Sequence, residues 1–337
     1  MGSVIPLKKE ISSSYAELKN LVKEKIDQVD QRIKLKLASK VNLIHKMTNY
    51  HFKLQGKKIR PLLTLCSAKL CNYTEGSRDI NLAACIELIH NATLLHDDVI
   101  DSSRLRRGAK TSNAMWDNQS SILVGDYLLS RCFEMIVEDG SLEVLKLLSS
   151  TCSTISQGEV SQLECRGEID ILEETYFNII NSKTAVLFAA ATRIGACITN
   201  NNRKKKDALE SYGRNLGLAF QIADDALDYY SSKKIFGKEI GKDFFEGNIT
   251  LPAIFAYQDS NLKERDFLKK VFKKKNRSNE DFDQVQNLIT KYNSIKACFK
   301  RAEHFVNMSY NALSAFNPSK EKTILQNMTS FSLERSF

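Results

Sequence analysis

Two short segments carry the same spacing of carboxylates: Asp97-Asp98-Val99-Ile100-Asp101 and Asp224-Asp225-Ala226-Leu227-Asp228, 127 positions apart. On an α-helix, residues i and i+4 share a face about one turn apart, so Asp97 stacks with Asp101 and Asp224 with Asp228. Like charges at that spacing destabilise an isolated helix, and carboxylates set into apolar helix need a compensating charge. Mg2+ suits the need: it takes one or two carboxylates and completes its shell with water and substrate phosphates. Two such clusters facing one another would cage a metal-bound diphosphate. A solvated helix surface is the alternative for either segment alone. The flanking residues argue against it, because His90-Asn91-Ala92-Thr93-Leu94-Leu95-His96 and Leu216-Gly217-Leu218-Ala219-Phe220-Gln221-Ile222-Ala223 resemble buried helix, where unpaired charge is expensive.

Cations recur beside these carboxylates. Gly56-Lys57-Lys58-Ile59-Arg60-Pro61 puts three of them just before a helix whose N-terminus already favours anions, with Pro61 suited to the first turn. Ser102-Ser103-Arg104-Leu105-Arg106-Arg107-Gly108 offers paired guanidinium forks to phosphate oxygens in a loop that ends on glycine. Lys183-Thr184 and Gly237-Lys238-Glu239-Ile240-Gly241-Lys242-Asp243 accompany the second cluster. Cations and carboxylates in two separate parts of the chain are what two diphosphates would require, one held by metals and one by side chains.

The elements that must position these groups are helical. The 337 residues include only 4 Pro and 14 Gly, and apolar residues recur at steps of three and four almost throughout. Ile11, Tyr15, Leu18, Val22, Ile26, Val29, Ile33 and Leu37 predict a first long helix. Further helices are predicted at about 42–54, 58–71, 79–101, 117–139, 141–166, 172–199, 206–230, 250–257, 279–292, 294–316 and 320–329. No linker composition divides the chain, so one all-α domain over 1–337 is expected, with the motifs between about 56 and 252. No apolar stretch is long enough to span a bilayer, and Lys8, Lys9 and Glu10 preclude an N-terminal signal peptide, so a cytoplasmic location is expected. Eight cysteines without a C-x-x-C pair indicate neither disulfides nor zinc. The net charge of +9 comes largely from Arg203-Lys204-Lys205-Lys206 and from Lys269 to Arg277, both expected to be polar connections between helices. Those runs leave contact with acidic lipid open. No aromatic-interleaved motif supports nucleic acid as a partner.

In order along the chain, G-K-x-x-R-P, H-D-D-x-x-D followed by R-R-G, Lys-Thr, F-Q-x-x-D-D-x-x-D, and G-K-x-x-G-K-D with Thr250-Leu251-Pro252 resemble the trans-isoprenyl diphosphate synthase family, in its long-chain polyprenyl (octaprenyl or solanesyl type) branch. The resemblance covers about Gly56 to Pro252. It departs at Gln55, where a second glycine is usual, and at Asn248, where a lysine is often found.

The resemblance implies an isoprenoid synthase-type helical bundle around a central cavity, and a homodimer. It also implies condensation of isopentenyl diphosphate with an allylic diphosphate such as farnesyl diphosphate, leading to a long all-trans product of the kind used for quinone side chains. Asp97 and Asp101 would bind two Mg2+ and Asp224 a third, with Asp98, Asp225 and Asp228 as additional or supporting ligands. Arg106, Lys183, Thr184, Gln221 and Lys238 would contact the allylic substrate; Lys57, Arg60, His90 and Arg107 would hold isopentenyl diphosphate. His90, seven residues before Asp97, shares nearly its face, though by itself it could equally be a satisfied core histidine. The small Ala92 and Thr93, five and four positions before Asp97, would let a growing tail pass, with Leu88, Ile89, Leu145 and Leu148 as deeper floors. A shorter-chain synthase, a terpene cyclase and a non-catalytic subunit are the alternatives; the intact second cluster and the Lys57–Arg60 clamp separate the chain from the last two.

Overall fold

The computed structural model describes residues 8–54, 56–199, 201–230 and 240–334. Among these, β-structure is confined to a single small hairpin, and the all-α class holds. Helices α1 (Lys8–Leu21) and α2 (Lys23–Lys36) replace the one long helix predicted. The chain leaves helical geometry at Val22 (φ −123°, ψ 22°), yet the apolar stripe stays in phase, and Leu18, Val22, Ile26, Val29, Ile33 and Leu37 are all buried. Helices α3 (Asn42–Lys53), α4 (Ile59–Leu70) and α5 (Arg78–Ile100) follow. Helix α5 is apolar on nearly every side and is accordingly central, packed by α2, α4 and the helices Asn118–Asp139 and Val186–Cys197.

Strands β1 (Leu105–Arg106) and β2 (Ala109–Lys110) pair antiparallel through a two-residue turn, where Arg107 (φ 53°) and Gly108 (φ 78°) both take the left-handed conformation that a tight hairpin turn demands. Next come α6 (Ser112–Met115), α7 (Asn118–Asp139), capped by the Asp117 side chain on the Ser120 amide, and α8 (Leu142–Glu164), capped by Ser141. The predicted 172–199 helix is α9 (Glu173–Ile180) and α10 (Val186–Cys197) joined by a single π-helical turn, Asn181–Ala185. Helix α11 (Arg203–Tyr230) lies along α10 and α16; α12 (Lys242–Glu246), α13 (Leu251–Asp259), α14 (Leu262–Phe272), α15 (Asn279–Lys291), α16 (Ser294–Ala312) and α17 (Lys320–Glu334) complete the chain. One core gathers on α2, α4, α5, α7 and α10; a second, rich in rings such as Tyr176, Tyr229, Phe244 and Phe272, gathers on α9, the end of α11 and α13–α16.

The first basic run sits differently from expectation and the second in part, since residues 273–277 form the expected connection between α14 and α15. Residues 203–206 form the first turn of α11, and Lys269 and Lys270 close α14, an unpredicted helix whose apolar face (Leu268, Val271, Phe272) is buried. Several of their charges are paired: Lys206 with Glu143 (2.7 Å), Lys269 with Asp170 (2.9 Å), Lys273 with Glu168 (3.3 Å) and Lys274 with Asp281 (2.6 Å). All eight cysteines are free thiols. Among the described residues no helix is long and apolar enough to cross a membrane.

Candidate active site

The first acidic segment closes the C-terminal end of α5, where the helix dipole adds partial negative charge to that of the carboxylates, and the second lies in the last described turns of α11. Helical geometry sends the members of each segment in different directions. Asp98 turns inward, is 2% exposed, and accepts from Arg106 Nη2 (2.8 Å) and Nε (3.1 Å) across the hairpin. Asp97 and Asp101 are half-buried, and Asp101 lines the cleft. Burial first, and then the neighbouring Glu159, push the Asp97 carboxyl above its ordinary range. Asp101 accepts from Arg166 Nη2 at 2.6 Å.

The second segment divides in the same way. Asp225, 4% exposed, has both oxygens engaged, by the Tyr176 hydroxyl (2.7 Å) and by Gln221 Nε2 (2.7 Å), and burial raises its pKa. Asp224 is half-buried. Asp228 accepts the backbone N–H groups of Lys242 (3.2 Å) and Asp243 (2.9 Å), so it holds the start of α12. Protein donors thus hold Asp98, Asp225 and Asp228, and also Asp101 through Arg166. Asp101 and Asp225 line one cleft of about 120 Å3 together with Gln162, Tyr176, Lys183, Thr184, Gln221, Lys242, Asp243 and Asn248.

Lys183 and Thr184 owe their placement to the π turn, a local widening of the helix that is frequent at functional sites. The turn is wedged between two glycines that admit no side chain. A Cβ on Gly158 of α8 would lie 2.6 Å from Ser182 Cβ, and one on Gly217 of α11 would lie 2.7 Å from Ala185 Cα. Lys183 Nζ reaches Glu159 Oε2 (2.8 Å) and donates to Gln162. Thr184 donates to Gln221 Oε1 (2.8 Å), which orients the Gln221 amide toward Asp225.

The predicted anion clamp is brought together only in part. Arg60 is deeply set, with its guanidinium 4.3 Å from the Phe188 ring centroid and Nη1 donating to His90 Nε2 at 3.2 Å. Burial lowers its pKa to about 10 and leaves Nε without a partner. His90 is half-buried rather than sealed in the core, and burial together with Arg60, Arg106 and Arg107 holds its pKa well below the usual value, so the ring is neutral. Arg107 Nη1 donates to the Leu54 carbonyl (2.9 Å), and its guanidinium covers Gly56, where a Cβ would stand 2.4 Å away. Lys57 Nζ lies 4.6 Å from the Phe331 ring centroid. Lys58 is the departure: left-handed at φ 49°, it turns to pair with Asp30. Ala92 is fully buried above Leu88 and Ile89, and Thr93 donates its hydroxyl to the His90 carbonyl (2.8 Å). Gln55, Gly237, Lys238 and Glu239 lie outside the described residues.

Sequence reasoning missed Glu159, Gln162 and Arg166 on or just after α8, Tyr176 on α9, and the buried chain in which His51 bonds Asn91 (3.1 Å) and Asn91 bonds Glu87 (3.1 Å) beside Arg60. Only the E-x-x-Q spacing after Gly158 hinted at the α8 group.

Among the described residues no three His, Cys, Asp or Glu side chains converge tightly enough to enclose an ion alone. The donors nevertheless fit a cation shared with a phosphate ligand. Asp97 and Asp101 are hard oxygen donors, both half-buried, with Glu159 beside Asp97, and Mg2+ needs only one or two carboxylates when phosphates complete its shell.

Residues 41–289 match the polyprenyl synthetase family model. The chain is 33% identical over 331 residues to octaprenyl diphosphate synthase of Haemophilus influenzae, covering 98% of this chain and 100% of that protein. It is 37% identical over 307 residues to all-trans-nonaprenyl-diphosphate synthase (geranyl-diphosphate specific) of Rhodobacter capsulatus, covering 91% and 94%. Among solved structures it is similar to polyprenyl synthase of Caulobacter crescentus CB15 complexed with calcium and isoprenyl diphosphate, with a TM-score of 0.91, 35% identity, and 96% and 98% of the two chains covered. The match extends over most of the chain and over the whole cleft, and the chain belongs to the polyprenyl synthetase family.

Proposed function

We propose that the chain, acting as one catalytic domain, is a Mg2+-dependent prenyltransferase that adds isopentenyl diphosphate repeatedly to an allylic diphosphate such as farnesyl diphosphate, giving a long all-trans polyprenyl diphosphate for a quinone side chain. The observation that carries this is the pair of acidic segments sharing one cleft, which Asp101 of the first and Asp225 of the second line together with Lys183, Thr184 and Gln221. Asp97, Asp101 and Asp224 are the metal ligands in this scheme, for three Mg2+; Asp98, Asp225 and Asp228 orient them. When bound, the metal ions stabilise negative charge on the departing diphosphate.

The protein's own groups do the rest. Lys183, Thr184, Gln221, Arg106 and Lys238 hold the allylic diphosphate, and the π turn fixes the first two. Lys57, Arg60, Arg107 and neutral His90 hold isopentenyl diphosphate, whose double bond adds to the allylic cation. Phe188 and Phe220, tilted at 5.8 Å, belong to a wall that excludes water. The proton lost after addition goes to the diphosphate, so no side-chain base is assigned. Small, buried Ala92 favours a long product over a short one. The outward face of α7 exposes Ile122, Leu123, Phe133 and Val137, and we assign it to a second copy of the chain in a homodimer. The apolar product leaves at the cytosolic surface of a membrane.

The test is incubation with Mg2+, isopentenyl diphosphate and farnesyl diphosphate, with products resolved by length. The expected result is an octaprenyl- or solanesyl-type product, lost on chelation. Release of farnesyl or geranylgeranyl diphosphate, a cyclic hydrocarbon, or no turnover would each refute the proposal.

A further inference from the structure

The turn that follows α8 carries a cation outside every motif singled out in the sequence. Arg166 stands on clamped backbone: the next residue, Gly167, donates its N–H to the Gly247 carbonyl (3.0 Å), adopts φ 79°, and has the Phe272 carbonyl oxygen 2.9 Å from where a Cβ would be. From there the guanidinium reaches both walls of the cleft. Nη2 donates to Asp101 Oδ1 at 2.6 Å, and Nε donates to Asn248 Oδ1 at 3.2 Å. Asn248 is itself fixed, its Nδ2 on Glu246 Oε2 (3.1 Å) and its N–H on the Asp243 carbonyl (2.8 Å). These bonds use two of the five N–H donors of the guanidinium, and a planar fork with donors to spare matches phosphate oxygens.

Asp101 is also the carboxylate assigned above to a divalent cation, and an ion arriving there competes with Arg166 for the same oxygen. We infer that Arg166 is a further diphosphate-binding residue of this site. In this structure it neutralises Asp101. With a divalent cation on that carboxylate, the guanidinium, still oriented through Nε by Asn248, would be free to donate to phosphate oxygens of the allylic diphosphate. Asn248 is then a positioning residue. This deepens the proposed function and rests on its assignment of the cleft.

Binding of the non-ionising analogue farnesyl S-thiolodiphosphate with Mg2+, measured by calorimetry, tests it alongside separate KM values for the two substrates. Arg166→Ala should weaken analogue binding on the order of 10- to 100-fold, the loss of one or two charge-assisted bonds, and leave the KM for isopentenyl diphosphate within about twofold. Adding Asn248→Lys to Arg166→Ala puts an ammonium on the same wall and should restore a large part of the affinity, which a merely structural role for Arg166 would not. Arg166→Gln, which keeps an amide donor without the charge, supplies the same comparison if the alanine variant fails to fold. Wild-type affinity in Arg166→Ala, or an equal loss for both substrates, overturns the inference. Asp97→Ala keeps the two failures apart: an intact analogue affinity there defeats the cleft assignment itself, whereas a defective Asp97→Ala beside an unaffected Arg166→Ala defeats only the role of Arg166.

Discussion

Gly158→Ala should cost this enzyme far more activity than stability. The new methyl would lie 2.6 Å from Ser182 Cβ and 3.0 Å from the Lys183 amide nitrogen. Non-bonded carbons prefer about 3.5–4.0 Å, so the π turn must retreat by about 1 Å. Overpacking of this kind costs about 1–3 kcal/mol, while alanine in place of glycine in a helix interior returns about 1 kcal/mol. The net destabilisation is therefore about 0–2 kcal/mol, a fall in Tm of only a few degrees for a chain of this size. A shift of about 1 Å in a positioned group can cost about 100-fold in rate. Lys183 rides on the displaced turn, so kcat for isopentenyl incorporation should drop about 100-fold in a protein whose helical circular dichroism and melting curve stay close to wild type. Steady-state incorporation of labelled isopentenyl diphosphate and thermal unfolding, measured on one preparation, give both numbers. A variant with wild-type kcat and a raised Tm would mean that the fit of α8 against the π turn does not position Lys183.

Asp97→Ala and Asp224→Ala should each abolish turnover and leave helical circular dichroism unchanged; near-normal condensation by Asp97→Ala would defeat the metal assignment. Lys57→Ala and Arg107→Ala should raise the KM for isopentenyl diphosphate more than that for farnesyl diphosphate, and equal increases would point to one shared anion site. Ala92→Phe should shorten the product by several isoprene units, read by chromatography of the dephosphorylated alcohols, and an unchanged distribution would dismiss Ala92 as part of the tail channel. His51 should make the fold acid-sensitive: burial and Arg106 lower its pKa from 6.5 to about 4. The unfolded chain then takes the proton first, so stability present above pH 6.5 is lost as pH falls toward 4, by about 2 kcal/mol at pH 5. Denaturant unfolding of His51→Gln should show a shallower decline over that window, and parallel declines would refute it.

The parts of the molecule legible in its sequence were those with a local period or a repeated pattern. The stripe from Leu18 to Leu37 is buried as its spacing required, even across the break at Val22, because burial follows the face and not the continuity of the hydrogen bonds. The two carboxylate segments fell on helices for the same reason. Helix α14 was hidden by its lysines, although its Asn261 and Glu264 form a capping box that the sequence displays. The π turn had no signature, since one extra residue in a turn barely disturbs apolar periodicity between 172 and 199. Lys58 was grouped with the clamp for its charge, and only the folded chain brings Asp30 to it. Glu159, Gln162, Arg166 and Tyr176 gain their importance from α8 and α9 lying against α5 and α11, a juxtaposition that no local stretch encodes.

Four of the described cations around the cleft are already spoken for: Arg106 by Asp98, Arg166 by Asp101, Lys183 by Glu159 and Lys242 by Glu246. A bare diphosphate would have to break such pairs to gain its own, an exchange that returns little. An approaching anion therefore senses little of the positive field that open lysine patches project, and its capture should depend only weakly on ionic strength. What tips the exchange is a ligand that arrives with its own countercharge. On the proposed function the cleft would therefore act as a coincidence detector, holding phosphate and metal ion together more tightly than either alone, because each occupies the partner that the other releases.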